Sequence, residues 1–368
     1  MIENMNLNKI LVLGATGRIG SELVVKLRKR YGNDDVIVGW HDNTPTELLS
    51  SGPSENVDVT DKVSLQSVFE RHKVEEVYNL ASVSSDLRER RPDIAWNVHI
   101  GGLVNVLELA KSKKTKIFWP SSNSVFESSE VASRAPQEIF IRGDHTLEDI
   151  TLISYNVLAN FYGNTPNAAY CHEFFWLDKK TAFNSNSSND QISGLSIPPP
   201  VTFYGVVKII GELVAAYYWN QGIDIRSLRY SPMISSKTPI SRGFTGFIAD
   251  MFSHARQENE FISSLHPDTV IHLTAMEDGI FATEKLMGLS YSEIKRFISY
   301  NLVGVIATLK ELEEEIKKNY PTFRIAYNTN SKQKQLWPSI VDTSVASTDL
   351  GFIPRYDLKT ITKSMLLI

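Results

Sequence analysis

The 368-residue chain carries a single cysteine, Cys171, so no disulfide can close within it, and a reducing, cytoplasmic setting is the default expectation. No apolar run approaches the roughly 20 residues that cross a bilayer, so no membrane contact is expected. Met1 to Asn6 lacks the charged-then-apolar profile of a secretory leader. Basic residues are not in excess: 38 Lys and Arg stand against 42 Asp and Glu, with no long basic block, which argues against nucleic acid as a partner. No internal repeat is present. What remains is the composition of an ordinary globular protein, 42% hydrophobic and 22% charged, long enough for one large α/β core and a smaller second unit.

The first third alternates short apolar runs with amphipathic stretches, the pattern of βαβ units around a parallel sheet. Lys9 to Leu13 reads as a strand and Arg18 to Arg30 as a helix, with Ile19, Leu23, Val24 and Leu27 at helical spacing. Val36 to Trp40 is a second strand, a helix runs from Asp61 to His72, and Glu76 to Leu80 is a third strand. Asp93 to Ser112 reads as one long helix and Lys116 to Pro120 as a strand. A helix runs from Tyr204 to about Trp219, and Asp224 to Tyr230 is a strand. Helices are expected over Gly246 to Glu258 and Leu302 to Asn319. The fold class expected is a Rossmann-type doubly wound α/β sheet over 1–127 and 198–230, with 231–368 mostly a smaller C-terminal α/β substrate lobe. From about Glu127 to Pro200 the composition shifts, Ser/Asn-rich at 184–189 and Pro-rich at 198–200, and 128–197 reads as an insertion, since a structureless loop of that length is unusual in a compact domain.

Gly14-x-x-Gly17-x-x-Gly20 lies between the first strand and the first helix. Glycines there permit a tight turn and close approach of backbone to a pyrophosphate, which the helix N-terminus then holds. Thr16, Gly17, Arg18 and Ile19 complete this candidate loop. An acid ending the second strand would normally hold the adenosine ribose, but Trp40 occupies that place. It either stacks on adenine, with Asp42 or His41 reaching the ribose, or is a tryptophan at a strand end. With no Arg there to meet a 2′-phosphate, NAD is favoured over NADP. Asp58 is a candidate for the adenine amino group or, alternatively, a helix cap, a part that Asp61 fits better.

Tyr204 and Lys208 are spaced Y-x-x-x-K, which on a helix puts a phenol and an ammonium on one face. A free phenol titrates near ~10. Lowering it by roughly 2 to 3 units takes about 3 to 4 kcal/mol, within reach of a desolvated lysine beside a nicotinamide. Ser122, in Ser121-Ser122-Asn123-Ser124 after a strand, is placed to hydrogen-bond a substrate oxygen while Tyr204 takes its proton, with Ser124 as second choice.

These motifs, with Arg226-Ser227-Leu228-Arg229-Tyr230, Asn79-Leu80-Ala81-Ser82, Arg91 to Asn97 and Trp337 to Asp342, resemble the extended short-chain dehydrogenase/reductases of the NDP-sugar epimerase superfamily. Within that group the chain is most similar to the short-chain-type L-threonine 3-dehydrogenases. The resemblance implies NAD, a Ser122/Tyr204/Lys208 catalytic set, oxidation of threonine to 2-amino-3-oxobutyrate, and a homodimer. It extends the coenzyme contacts to Leu80, Ala81 and Tyr230, and places Ser85 and Thr245 against substrate. The family's substrate loop is altered here to Ser241-Arg242-Gly243-Phe244-Thr245-Gly246-Phe247, in which only Thr245 keeps its hydroxyl and Phe247 lacks a phenol. Buried zwitterions need paired partners, so two rivals stand: an NDP-sugar epimerase or dehydratase with Arg242 as a clamp, and a catalytically impaired dinucleotide-binding protein. Ile153 to Ala159 resembles the opening strand of metal-dependent nucleases, but one asparagine cannot organise Mg²⁺, and no metal site is expected.

Overall fold

The structure, a computed structural model, describes residues 9–47, 49–126, 202–237, 243–257, 260–294, 297–327 and 340–367, the side chains of Ser85, Asp86 and Glu89 excepted. The expected insertion at 128–197, the nuclease-like stretch, Ser241, Arg242 and Trp337 to Ser339 lie outside the described residues.

The first unit is β1 (Lys9–Leu13), α1 (Arg18–Tyr31), β2 (Val36–Trp40), β3 (Ser54–Asn56), α2 (Lys62–His72) and β4 (Val74–Asn79). Short helices α3 (Ser85–Arg90) and α4 (Pro92–Trp96) lead through a π-helical turn, Asn97–Gly101, into α5 (Gly102–Lys113) and β5 (Lys116–Ser122). Next among the described residues come α6 (Phe203–Asn220), β6 (Ile225–Tyr230) and β7 (Met233–Ile234). Helix α7 (Phe244–Arg256) is followed by β8 (Phe261–Ser263), β9 (Val270–Ala275), α8 (Met276–Gly288), β10 (Ser299–Leu302) and β11 (Val305–Thr308). The chain closes with α9 (Leu309–Lys317), β12 (Ile325–Tyr327), α10 (Ser344–Leu350) and α11 (Leu358–Leu366).

Seven strands form one sheet in the order β10-β6-β5-β4-β1-β2-β3. Every pairing in it is parallel. Its strands are buried on both faces, as an all-parallel sheet requires: Leu11, Leu13, Ile37 and Val77 pack on one side, Ile10, Val12, Val36 and Val38 on the other. Because β2 and β4 flank β1, the strand order reverses there, which opens a crevice at the strand C-termini. A three-stranded sheet (β11-β9-β7) and a two-stranded one (β12-β8) pack with α7, α9 and α11 around a separate apolar cluster that includes Phe252, Leu273, Leu312 and Phe323. Among the described residues no helix is long and apolar enough to cross a membrane.

Two expected helices are corrected. Asp93 to Ser112 is broken at Asn97–Gly101, where one π-helical turn carries the buried His99. Leu302 to Asn319 is helical only over Leu309–Lys317. Leu302 ends β10, a Cβ on Gly304 would lie 3.0 Å from Leu273 O, and the β-branched Val305, Ile306 and Thr308 pair with β9. Thr308 then starts the helix through a reciprocal capping box with Glu311.

Candidate active site

The turn from β1 to α1 closes against the end of β4. Gly14 has φ +70°, and a Cβ there would lie 2.7 Å from Leu80 O; one on Gly20 would lie 2.4 Å from Gly14 O. Only glycine satisfies that φ and that approach. Gly17 caps α1 without a side-chain hydrogen bond, so the helix begins with backbone N–H groups that no cap residue takes. Gly14, Thr16, Gly17, Arg18, Ile19 and Gly20 line a cavity of about 800 Å³. A bare, glycine-lined helix start on a cavity of that size fits the pyrophosphate of a dinucleotide. Arg18 donates from Nη2 to Met233 O at 3.0 Å, and burial lowers its pKa while Glu22 opposes the shift.

Trp40, His41, Asp42, Asn43 and Asp58 line the cavity beyond β2. The Trp40 indole is pinned to the wall by its bond to Ser54 Oγ, 2.9 Å. Asp61 is the cap of α2, accepting from Val63 N and Ser64 N. Asp58 accepts from Thr60 N at 2.8 Å and stays on the wall, 3.8 Å from His41 Nε2. Leu80 and Ala81 line the middle. Tyr230 lines it too, but its hydroxyl is bonded to Thr283 Oγ1 and burial raises its pKa, so it offers the coenzyme a surface rather than a hydrogen bond.

Ser122, Ser124, Tyr204 and Lys208 line the same cavity. Ser122 ends β5, and its Oγ accepts from Ser124 N at 3.1 Å, leaving the hydroxyl able to donate. Thr202 caps α6 by accepting from Gly205 N at 3.1 Å, which sets Tyr204 in the first turn and Lys208 one turn on. The helix lies very close to β5: a Cβ on Gly211 would come within 2.2 Å of the Trp119 ring. Lys208 Nζ donates to Pro120 O at 2.5 Å, sits 4.5 Å from the Trp119 ring centroid and 5.4 Å from that of Tyr204. Thr245 and Phe244 line the cavity, whereas the Phe247 ring stacks 5.9 Å from Phe244 and 5.2 Å from Phe261 in the lobe core. The lost phenol of Phe247 therefore removes nothing from the cavity wall. Ser85 opens α3, but its side chain is outside the described residues; Ser82 and Ser84 beside it line the cavity.

Three neighbours escape the motif reading. Arg88 of α3 stacks on the Tyr204 ring, with Cζ 3.8 Å from its centroid. His99 meets that ring edge-on at 5.9 Å and approaches Ser82 Oγ at 3.3 Å; burial first, then the Lys208 and Arg88 charges, hold its pKa well below the usual imidazole value. Glu212, one turn past Lys208, accepts from Arg229 Nε and Nη2 at 2.8 and 2.6 Å and from Ser121 Oγ; all three residues are buried, and of them Ser121 lines the cavity. Only Glu212 carried a signal, its i+4 spacing from Lys208 on an apolar helix.

Burial lowers the Lys208 pKa from 10.5 to about 7, with Arg88 adding to the shift and Glu212 opposing it. Between those values the unfolded chain binds more protons than the folded one, so stability rises with pH through that window and the penalty is complete below it. Ligand-free protein is expected to gain on the order of 2 kcal/mol over Lys208→Met between pH 7 and pH 9 in denaturant unfolding. Parallel pH curves for the two proteins would show that the ammonium is not desolvated.

The model of the NAD-dependent epimerase/dehydratase family matches residues 10–146. An uncharacterised epimerase/dehydratase of Staphylococcus saprophyticus is 30% identical over 98% of this chain and 96% of its own length. Among solved structures, a partial-consensus L-threonine 3-dehydrogenase is 32% identical, covering 97% of this chain and 98% of that one, with TM-score 0.74. A GalE-like L-threonine dehydrogenase from Cupriavidus necator, in its holo form, is 31% identical over 98% and 99%, with TM-score 0.75. Likeness over the whole length, together with a dinucleotide turn at the sheet's switch point, assigns this chain to the NAD-dependent epimerase/dehydratase family, as an NAD-dependent enzyme of the extended short-chain dehydrogenase/reductase type.

Proposed function

We propose that the protein oxidises the secondary alcohol of L-threonine, or of a closely related β-hydroxy amino acid, to the corresponding 3-oxo compound. The observation that carries this reading is that Ser122, Tyr204 and Lys208 line the same cavity as the glycine turn. The likeness to solved L-threonine dehydrogenases over nearly the full chain favours this substrate over a nucleotide sugar.

Bound NAD supplies the acceptor for the hydride leaving the carbinol carbon. Tyr204 takes the hydroxyl proton as general base, and Ser122 donates to the same oxygen to orient it. Lys208, fixed by Pro120 O, favours the phenolate through its charge. Trp119 beneath Lys208 and the apolar packing of α6 keep water away from the ammonium, which strengthens its field.

A panel of L-threonine, 3-hydroxy acids and UDP-sugars, followed by NADH absorbance, tests the proposal. NADH is expected to form with threonine or a 3-hydroxy acid at rates well above those with UDP-sugars. NADH formed only with a UDP-sugar, or with none of the panel, rejects the reading.

A further inference from the structure

Beyond Ser122 the ladder of β5 ends, and Asn123–Phe126 form a single turn of 3₁₀ helix. The Ser122 hydroxyl takes its direction from that turn, because its Oγ accepts from Ser124 N. The turn is in its place tied to the C-terminal lobe. Asn123, which adjoins Ser122 and lines the cavity, donates from Nδ2 to Nδ1 of His272 at 3.1 Å. An amide nitrogen can only donate, so the imidazole meets it with a bare, accepting Nδ1.

His272 lies within β9 and is fully buried. Successive side chains of a strand alternate between its faces. Ile271 and Leu273 join the apolar cluster of the lobe, whereas His272 and Thr274 meet the ends of β5 and β6. Thr274 Oγ1 is bonded to Ser231 Oγ at 2.6 Å, and Thr274 N donates to Pro232 O at 3.0 Å. Ser231 and Pro232 also line the cavity. The lobe thus docks on the cavity rim through buried polar side chains, where apolar pairs of the same shape would hold it nearly as well. What a hydrogen bond adds is direction. It holds the Asn123 amide at one angle, and with it the turn that aims Ser122.

We propose that His272 is a positioning residue: acting through Asn123, it fixes the turn that points the Ser122 hydroxyl at the substrate oxygen. The lobe that brings Thr245 to the cavity is thereby tied to the reacting end, across 149 residues of chain. This rests on the reading of Ser122 as the donor to that oxygen.

The test is a double-mutant cycle in kcat, run with whichever alcohol of the panel turns over fastest. His272→Phe, which keeps a ring of similar size without the acceptor, is expected to lower kcat about 30-fold with coenzyme affinity unchanged. Ser122→Ala is expected to lower it about 100-fold. Added to Ser122→Ala, His272→Phe should cost less than about twofold more, because no hydroxyl is left to aim. A merely structural lesion would multiply the two losses. His272→Gln, whose Oε1 can accept from Asn123, should recover most of the rate. Should His272→Phe fail to fold, Asn123→Leu cuts the same bond from its other end and enters the same cycle. A fall of less than about threefold on cutting the bond, losses that multiply, or a glutamine variant no better than phenylalanine would overturn the proposal. Ser122→Ala as active as wild type, or no turnover of any panel alcohol, sinks the role of Ser122 and the inference with it. An impaired Ser122→Ala beside an unimpaired His272→Phe sinks the inference alone.

Discussion

Tyr204→Phe is expected to lower kcat by about a thousandfold, with coenzyme affinity and folded stability essentially unchanged. A positioned general base contributes on the order of 10²–10⁴ in rate, and this substitution deletes that oxygen and little else. The ring that carries the Arg88 stack and the His99 edge contact is retained, so the neighbours have no reason to shift. Lys208 keeps its bond to Pro120 O. The measurement is a paired one: steady-state NADH formation, and coenzyme titration by fluorescence. A fall of less than about tenfold in kcat with coenzyme binding intact would remove Tyr204 from the role of base. A variant with unaltered behaviour throughout would favour a dinucleotide-binding protein without catalysis, the rival that the sequence leaves standing.

Glu212→Ala is expected to cost about 3 to 5 kcal/mol of folding stability, the usual loss when one member of a buried ion pair is deleted. Glu212 is 1% exposed and Arg229 4%, so water cannot replace the two bonds that the guanidinium loses. Ser121 loses its acceptor at the same time. Because Ser121 precedes Ser122 and Arg229 precedes Tyr230, activity should fall with stability even though Glu212 does not line the cavity. Glu212→Gln keeps an acceptor and should lose less. The double replacement Glu212→Met with Arg229→Leu removes both charges and should recover much of the deficit, since desolvation of the pair offsets most of its attraction. Denaturant unfolding of wild type, Glu212→Met, Arg229→Leu and the double replacement completes a double-mutant cycle for the pair. A loss below about 1 kcal/mol for the alanine variant would mean the site is wetter or more adaptable than its burial implies.

The turn at Gly14 to Gly20 and the Tyr204–Lys208 pair are legible in the sequence because each is a local pattern. A φ of +70° and a backbone contact admit only glycine, and a four-residue helical spacing fixes which side chains share a face. Strands β1 and β2 are legible for a related reason, as short apolar runs between turn residues. Helix α9 is overextended at its start in the sequence reading because Leu302 to Thr308 is apolar enough to continue a helical pattern. The pairing of that stretch with β6 and β9 depends on strands distant in sequence. Arg88 sits in Leu87-Arg88-Glu89-Arg90-Arg91, which reads as a solvated charge run, and nothing local distinguishes it from Arg90. Its place on the Tyr204 ring arises because α3 packs back on α6, more than a hundred residues later.

Residue types at short spacing thus sufficed for the parallel α/β class, the dinucleotide turn and the phenol–ammonium pair, since steric and helical geometry act over a few residues. Which charges surround that phenol was set by packing: Arg88 above it, His99 at its edge and the Glu212–Arg229 pair beneath come from four separate elements. Electrostatic energies depend on distance and burial, and neither exists along the chain until the sheet, its helices and the floor of the cavity have assembled.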